Sequence, residues 1–299
     1  MHNILNPTVG LKGRYRFVVR DAATHQIKRE TDWIENIITD LGLNSWGGGF
    51  SLSYCHIGTG TSTPATTDTA LQSFSASTSS TGSSTGNLGT PTYVGYRTWS
   101  YRFNVGVLNG NYSEVGVGSS NTTGNLFSRA LIVDGGGSPT TITIISTEYL
   151  DVYYQLQVVP PLTDATSTIT VTGLGSIDVT RRALNVGSWK PHSSGPYYPM
   201  TQSNPFGNYI ASNTLVAYTA SGIGGTYLGG SNNSYVNLSY ERGFAFGVGI
   251  GSAVTYGLIS MQSGDQDGLI AWQFSLNPVI NKTALQTLSL YGKVTWARA

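Results

Sequence analysis

Hydrophobic and polar positions alternate along much of this chain. In Y-L-D-V-Y-Y-Q-L-Q-V-V, residues 149–159, Leu150, Val152, Tyr154, Leu156 and Val158 share one parity and mostly polar groups take the other. A period of two sends successive side chains to opposite faces, so the segment reads as a half-buried strand of an antiparallel sheet. The device recurs near the C-terminus, where Leu288, Leu290, Val294 and Trp296 oppose Thr287, Ser289, Tyr291, Lys293 and Thr295. Near the start, Tyr15, Phe17 and Val19 alternate with Arg14, Arg16, Val18 and Arg20. Similar patterns predict strands over 52–57, 93–107, 112–117, 126–133 and 140–145, a hairpin over 168–180, and strands over 235–240, 244–250, 254–261, 269–274 and 285–296. Only one stretch has helical spacing: Ile34, Ile37, Ile38 and Leu41, with Asp32 and Glu35 as a capping box and Gly42 as a stop. It predicts one short helix near residues 32–41.

Short strands separated by Gly and Asn turns favour a sandwich or jelly roll. The expected fold is therefore all-β, with two antiparallel β-sandwich or jelly-roll-like halves. Pro160 and Pro161 cannot donate to a ladder and stiffen the exit from the long strand. The division expected there is an N-terminal β-sandwich with an assembly region, 1–161, and a C-terminal β-rich domain, 162–299, with one composite domain as the alternative. Residues 69–92 are dominated by Ser, Thr and Gly. Such composition suggests a linker or disorder, so order there is expected to need a neighbouring subunit or the rest of an assembly.

Charged residues are 10% of the 299, well under the usual quarter, while Gly reaches 38 and Tyr 18. Solubility then rests on hydroxyls and amides. A net charge of +1 without a basic patch argues against nucleic-acid binding, and no apolar run approaches the roughly 20 residues of a membrane helix. Cys55 is alone, which excludes an intrachain disulfide, and M-H-N-I-L-N-P lacks the regions of a secretory signal, so synthesis in a cytoplasm is expected. Charge concentrates in residues 12–40. Arg14, Arg16, Arg20, Lys28, Arg29 and Glu30 are the candidate assembly interface, against the plainer reading of a solvated surface. Between Arg182 and Glu241 the one formal charge is Lys190, and Trp189, Tyr197, Tyr198, Phe206, Tyr209 and Tyr227 stand among Asn, Ser and Gly. These six are the candidate glycan or partner surface, with core packing as the ordinary alternative.

Catalytic and metal patterns are weak. H-I-G-T-G at 56–60 lacks the Lys-Ser/Thr pair of a Walker loop, and G-S-S-T-G at 82–86 has no strand–turn–helix context for a nucleophile elbow. His2, His25, His56 and His192 have no metal-ligand spacing, and Asp265 and Asp267 begin a calcium-like loop that lacks its closing Glu. Glycan cleavage needs a carboxylate pair in a cleft, and the spacing of Glu114, Glu148, Asp151, Asp265 and Asp267 brings no two together. No catalytic residue, cofactor or metal is expected. The Asn-x-Ser/Thr sites at Asn111, Asn121, Asn232, Asn237 and Asn281 match the composition by chance.

Three stretches resemble a family of tailed-bacteriophage virion proteins of the tail fibre, collar or minor tail type. They are I-G-T-G-T-S-T-P-A-T-T-D-T-A-L-Q at 57–72; Y-S-E-V-G-V-G at 112–118 with L-F-S-R-A-L-I at 126–132, P-T-T-I-T at 139–143 and the strand over 148–156; and residues 274–298, where N-P-V-I-N-K-T precedes a closing T-W-A-R. The resemblance implies a non-enzymatic structural protein of the virion, made in the bacterial host cytoplasm. It implies self-association, as a trimer or higher homo-oligomer, and attachment to portal, adaptor or tail proteins. It carries no catalytic residue, and it does not extend over 186–237. The competing expectation is a carbohydrate-binding receptor module that recognises a host-surface glycan.

Overall fold

The structure, a computed structural model, describes residues 6–49, 51–88, 93–191, 207–228, 230–264 and 269–299. The chain opens with β1 (Thr8–Asp21), whose alternate residues Val9, Leu11, Tyr15, Phe17 and Val19 are buried. Short strands β2 (Ile27–Glu30), β3 (Ile34–Glu35) and β4 (Ile37–Ile38) precede helix α1 (Asp40–Gly48). Next come β5 (Tyr54–Gly58), β6 (Phe74–Leu88), β7 (Val94–Phe103), β8 (Gly110–Tyr112), β9 (Glu114–Gly118), β10 (Leu126–Leu131) and β11 (Ile142–Ile144). The alternating segment that defines the sequence pattern is β12 (Glu148–Val159).

β8 and β11 pair with each other, and the remaining strands build a ring. β12 lies antiparallel between β1 and β7, and β7 continues to β6. β6 is a corner: its residues 80–88 pair with β7 and its residues 74–79 pair with β5, which runs on to β9, β10 and β4. Only Asn36 separates β4 from β3, and β3 pairs back onto β1 through Ile34 and Tyr15. Two layers, β1–β12–β7 and β5–β9–β10, thus face each other and are joined at both sides. Inward residues of both layers, among them Tyr15, Phe17, Ile57, Val117, Phe127, Val152 and Tyr154, fill the space between.

The later strands are β13 (Ala165–Val171), β14 (Gly175–Ala183), β15 (Gly207–Ile210), β16 (Thr226–Leu228), β17 (Gly230–Asn232), β18 (Glu241–Val248), β19 (Val254–Gly264), β20 (Leu269–Lys282) and β21 (Leu288–Arg298). Six form a second antiparallel sheet ordered β13-β14-β20-β19-β15-β16. The other three return to the first sheet, where β21 runs parallel to the start of β1 and carries β18 and then β17 on its outer edge. Strands from both sides of Pro160 and Pro161 therefore share one sheet, and one hydrophobic cluster runs from Val9 to Trp296. The all-β class is as expected. Among the described residues no helix is long and apolar enough to cross a membrane.

Three sequence expectations need correction. The helix lies at Asp40–Gly48 rather than near 32–41, and Thr39 is its N-cap, its side chain accepting from the Gly42 N–H at 2.9 Å. Ile34, Ile37 and Ile38 belong instead to β3 and β4, where β-branched side chains lose less freedom than in a helix. Gly42 sits inside the helix, where any Cβ would meet the Phe127 carbonyl. Residues 74–88, expected to need a neighbour for order, are held within the chain by backbone pairing to β5 and β7 although none of their side chains is fully buried. Residues 235–240 are not a strand; they pass through a turn, with Leu238 and Tyr240 at positive φ.

Candidate functional site

The charged candidates Arg14, Arg16 and Arg20 alternate on the outer face of β1, and each has a partner within the chain. Arg14 Nε donates to Gln155 Oε1 at 2.9 Å, and its guanidinium lies 4.5 Å from the centre of the Trp33 ring. Burial lowers the proton affinity of Arg14, and nearby Glu35 partly restores it. Arg16 pairs with Glu30 at 2.6 Å. Arg20 and Arg102 both reach Asp151, at 3.1 and 2.6 Å. Arg29 and Lys28 converge on Glu148 at 2.7 and 3.4 Å, and Glu148 itself has a side chain only 1% exposed. The hydrogen bond from Arg29, chiefly, holds the Glu148 carboxyl below its ordinary range. All six candidates thus lie on or beside β1 and β2, as one connected surface.

Of the aromatic candidates, the three that are described, Trp189, Tyr209 and Tyr227, do not share one exposed platform. Trp189 is 1% exposed, stacked edge-on against Trp272, with its indole N–H donating to the Leu184 carbonyl. That is a core residue, which corrects its assignment to a glycan surface. Tyr209 packs against buried Tyr256 with ring centres 4.5 Å apart, while Tyr227 is 67% exposed. Tyr197, Tyr198 and Phe206 lie outside the described residues, as do Asp265 and Asp267.

A buried ion cluster joins stretches far apart in sequence. Glu114 on β9 is fully buried and accepts from the backbone N–H groups of Gly60, Gln72 and Ser73. Arg129, on the neighbouring strand β10, meets Glu114 at 2.8 Å and Asp68 at 2.6 Å, and also bonds Ser62. The Gln72 side chain in turn accepts from the N–H groups of Thr61 and Ser62. The loop of residues 59–73 is thereby fastened over the β9–β10 hairpin by an ion pair taken out of water, an arrangement made tolerable by the hydrogen bonds that both Glu114 oxygens accept and by the division of the Arg129 guanidinium among Glu114, Asp68 and Ser62. Two carboxylates do meet here, which the sequence spacing did not indicate. Both are committed to holding Arg129 and the loop.

Beside this cluster a cleft of about 1190 Å³ opens between residues 29–37 and residues 129–148. It exists because the ring of strands is zipped at β4–β10 but β2 and β3 pair with nothing except β1. Ile34, Ile132 and Ile142, all under a tenth exposed, form its apolar floor, with Trp33 and Leu131 half-buried and Ile145 46% exposed. Glu30, Asp32, Glu35 and Asp134 line its rim. Among the described residues no Lys or Arg makes an ion pair with Asp32, Glu35 or Asp134. The lining cations are spoken for, Arg29 by Glu148 and Arg129 by Glu114 and Asp68.

Sequence reasoning placed Arg29 and Glu30 in a contact surface but missed Trp33, Leu131 and Asp134. The available signal was the run I-E-N-I-I at 34–38, whose β-branched residues suit a strand and whose charged flanks then fall along an open edge. The chain matches no protein-family model, no curated protein and no solved structure.

Proposed function

We propose that this chain is a non-enzymatic structural protein of a tailed-bacteriophage virion, a tail, collar or fibre component that self-associates and docks on other virion proteins. The observation that carries the reading is the Asp68–Arg129–Glu114 cluster. Its members come from separate stretches of the sequence that resemble this protein class, and they meet in one buried knot. Residues from two of the resembling stretches thus meet in one ion cluster instead of scattering over the surface, which supports the reading.

The exterior suits the same role. Most charges along β1, β2 and β12, namely Arg16 with Glu30, Arg20 and Arg102 with Asp151, and Lys28 and Arg29 with Glu148, are paired within the chain, so a neighbouring copy meets hydroxyls, amides and neutralised pairs over this face. Assembly is the mechanism, and no bond is made or broken. The test is to purify particles produced by the genome that encodes this chain, quantify the chain in them by mass spectrometry, and measure the mass of the free protein under native conditions. Stoichiometric recovery in particles, together with a free oligomer, is the expected result; a chain absent from particles overturns the assignment.

A further inference from the structure

We propose that the cleft between residues 29–37 and 129–148 is a docking groove for an extended peptide segment of a partner protein, one that alternates apolar and basic side chains. This deepens the docking role proposed above by naming the partner's chemistry, but its geometric grounds do not depend on the virion assignment.

Three features specify the occupant. At about 1190 Å³ the cleft exceeds the range of about 300–1,000 Å³ typical of small-molecule sites, so a chain segment fits it better than a metabolite. One wall is the free edge of β2 and β3, whose strand partners are all on β1. An open strand edge next to an apolar trough is the arrangement that accepts an added strand, with main-chain bonds along the edge and every second side chain directed into the trough. The floor supplies that trough in Ile34, Ile132 and Ile142. Side chains of the opposite parity would meet the rim.

The rim sets the charge. Asp32, Glu35 and Asp134 are exposed carboxylates without an ion-pair partner among the described residues, whereas Arg29 and Arg129 are already neutralised. A segment with Lys or Arg on its outward parity meets complementary potential, and one with Asp or Glu meets repulsion. Glu35 faces Arg14 on the neighbouring strand and Glu30 is paired with Arg16, so the uncompensated charge resides chiefly on Asp32 and Asp134.

The experiment uses the full chain and two short fluorescent peptides, one alternating Lys with Val and one alternating Glu with Val, followed by anisotropy at low and high salt. The Lys peptide is expected to bind at least about tenfold more tightly than the Glu peptide, with the preference shrinking as salt rises. In the double variant Asp32→Lys with Asp134→Lys the preference is expected to invert. A circular-dichroism melt establishes that these surface changes leave the fold intact. Equal binding of the two peptides, no binding of either, or a preference untouched by the double variant each overturns the proposal. Self-association abolished by the same variant would assign the groove to a second copy and overturn the partner-peptide assignment. None of these results bears on recovery of the chain in particles, so the two readings fail separately.

Discussion

Arg129 is only 3% exposed, and its guanidinium is divided between Glu114 and Asp68. Substituting Met keeps much of the buried stem but leaves the Glu114 carboxylate sealed in with three backbone donors and no cation. A buried charge stripped of its partner is far costlier than the intact pair is beneficial. Arg129→Met is therefore expected to destabilise the fold by about 3–5 kcal/mol, read from the midpoint of urea denaturation at constant slope. Adding Glu114→Gln to it should cost less than the two single changes summed, because the orphaned charge is removed as well. His56 offers a pH test. Its ring is buried on β5, Nε2 lies 2.7 Å from the Ser120 carbonyl, and burial lowers its proton affinity in the fold. The unfolded chain then takes up the proton first, so His56 contributes stability at neutral pH that declines as pH falls below about 6.5, the ordinary histidine value. Thermal melts between pH 7.5 and 5.5 should show the decline, and His56→Gln should flatten it. Neither role was readable in the sequence. Asp68, Glu114 and Arg129 are ordinary letters until strand pairing sets β9 beside β10 and β5, and a lone histidine carries no sign of burial.

At the scale of elements, the best-read parts were those with strict alternation and a single wet face. β1 and β21 follow the predicted parity, with Tyr15 and Leu290 inward, whereas β12 departs from it: its polar parity, Tyr149, Asp151, Gln155 and Gln157, is buried as well as Val152 and its neighbours, under side chains from β1 and β7 that pair with it. The weakest reading came where local signals competed. Residues 34–41 offered helical spacing, yet pairing of Ile34 with Tyr15 and of Ile38 with Ser128 claims the backbone for sheet and moves the helix start to Thr39. In β6, Ser, Thr and Gly gave no hydrophobic pattern because the strand is held by its neighbours' hydrogen bonds rather than by an apolar face. Close backbone approaches are equally silent in sequence. Gly95 on β7 packs against the Trp189 carbonyl, so that any Cβ collides with main chain and not with a movable side chain. Gly95→Ala should lose about 1–3 kcal/mol through overpacking, measured by thermal denaturation. Gly187→Ala, in the adjoining turn of residues 186–188, meets nothing within 4 Å and should stay within about 0.5 kcal/mol of the parent.

For the whole molecule, the Pro160–Pro161 punctuation read from sequence marks a change of sheet. Which strands later return across it is a question of topology, and parallel pairing of the last strand with the first leaves no local trace. β21 lies along residues 8–11 of β1, and the Trp296 indole N–H donates to the Leu43 carbonyl of α1 at 2.7 Å. Arg298 bonds the Ile38 carbonyl at 2.6 Å and also pairs with Asp40. Tyr235 stacks on Trp296 and donates from its hydroxyl to Asn44. A fragment of residues 1–161 lacks all of these, uncovering Val9, Leu11, Leu43 and Trp46 and leaving the start of β1 with one free edge. Removing apolar cover of that extent costs several kcal/mol, comparable with the whole stability of a domain. The fragment is therefore expected to be aggregated or partly unfolded, with broad, poorly dispersed amide resonances. Supplying residues 162–299 as a separate chain should restore dispersion by completing the sheet. A fragment that folds alone, with a melting temperature equal to that of the full chain, would show that β18 and β21 merely lean on the first sandwich.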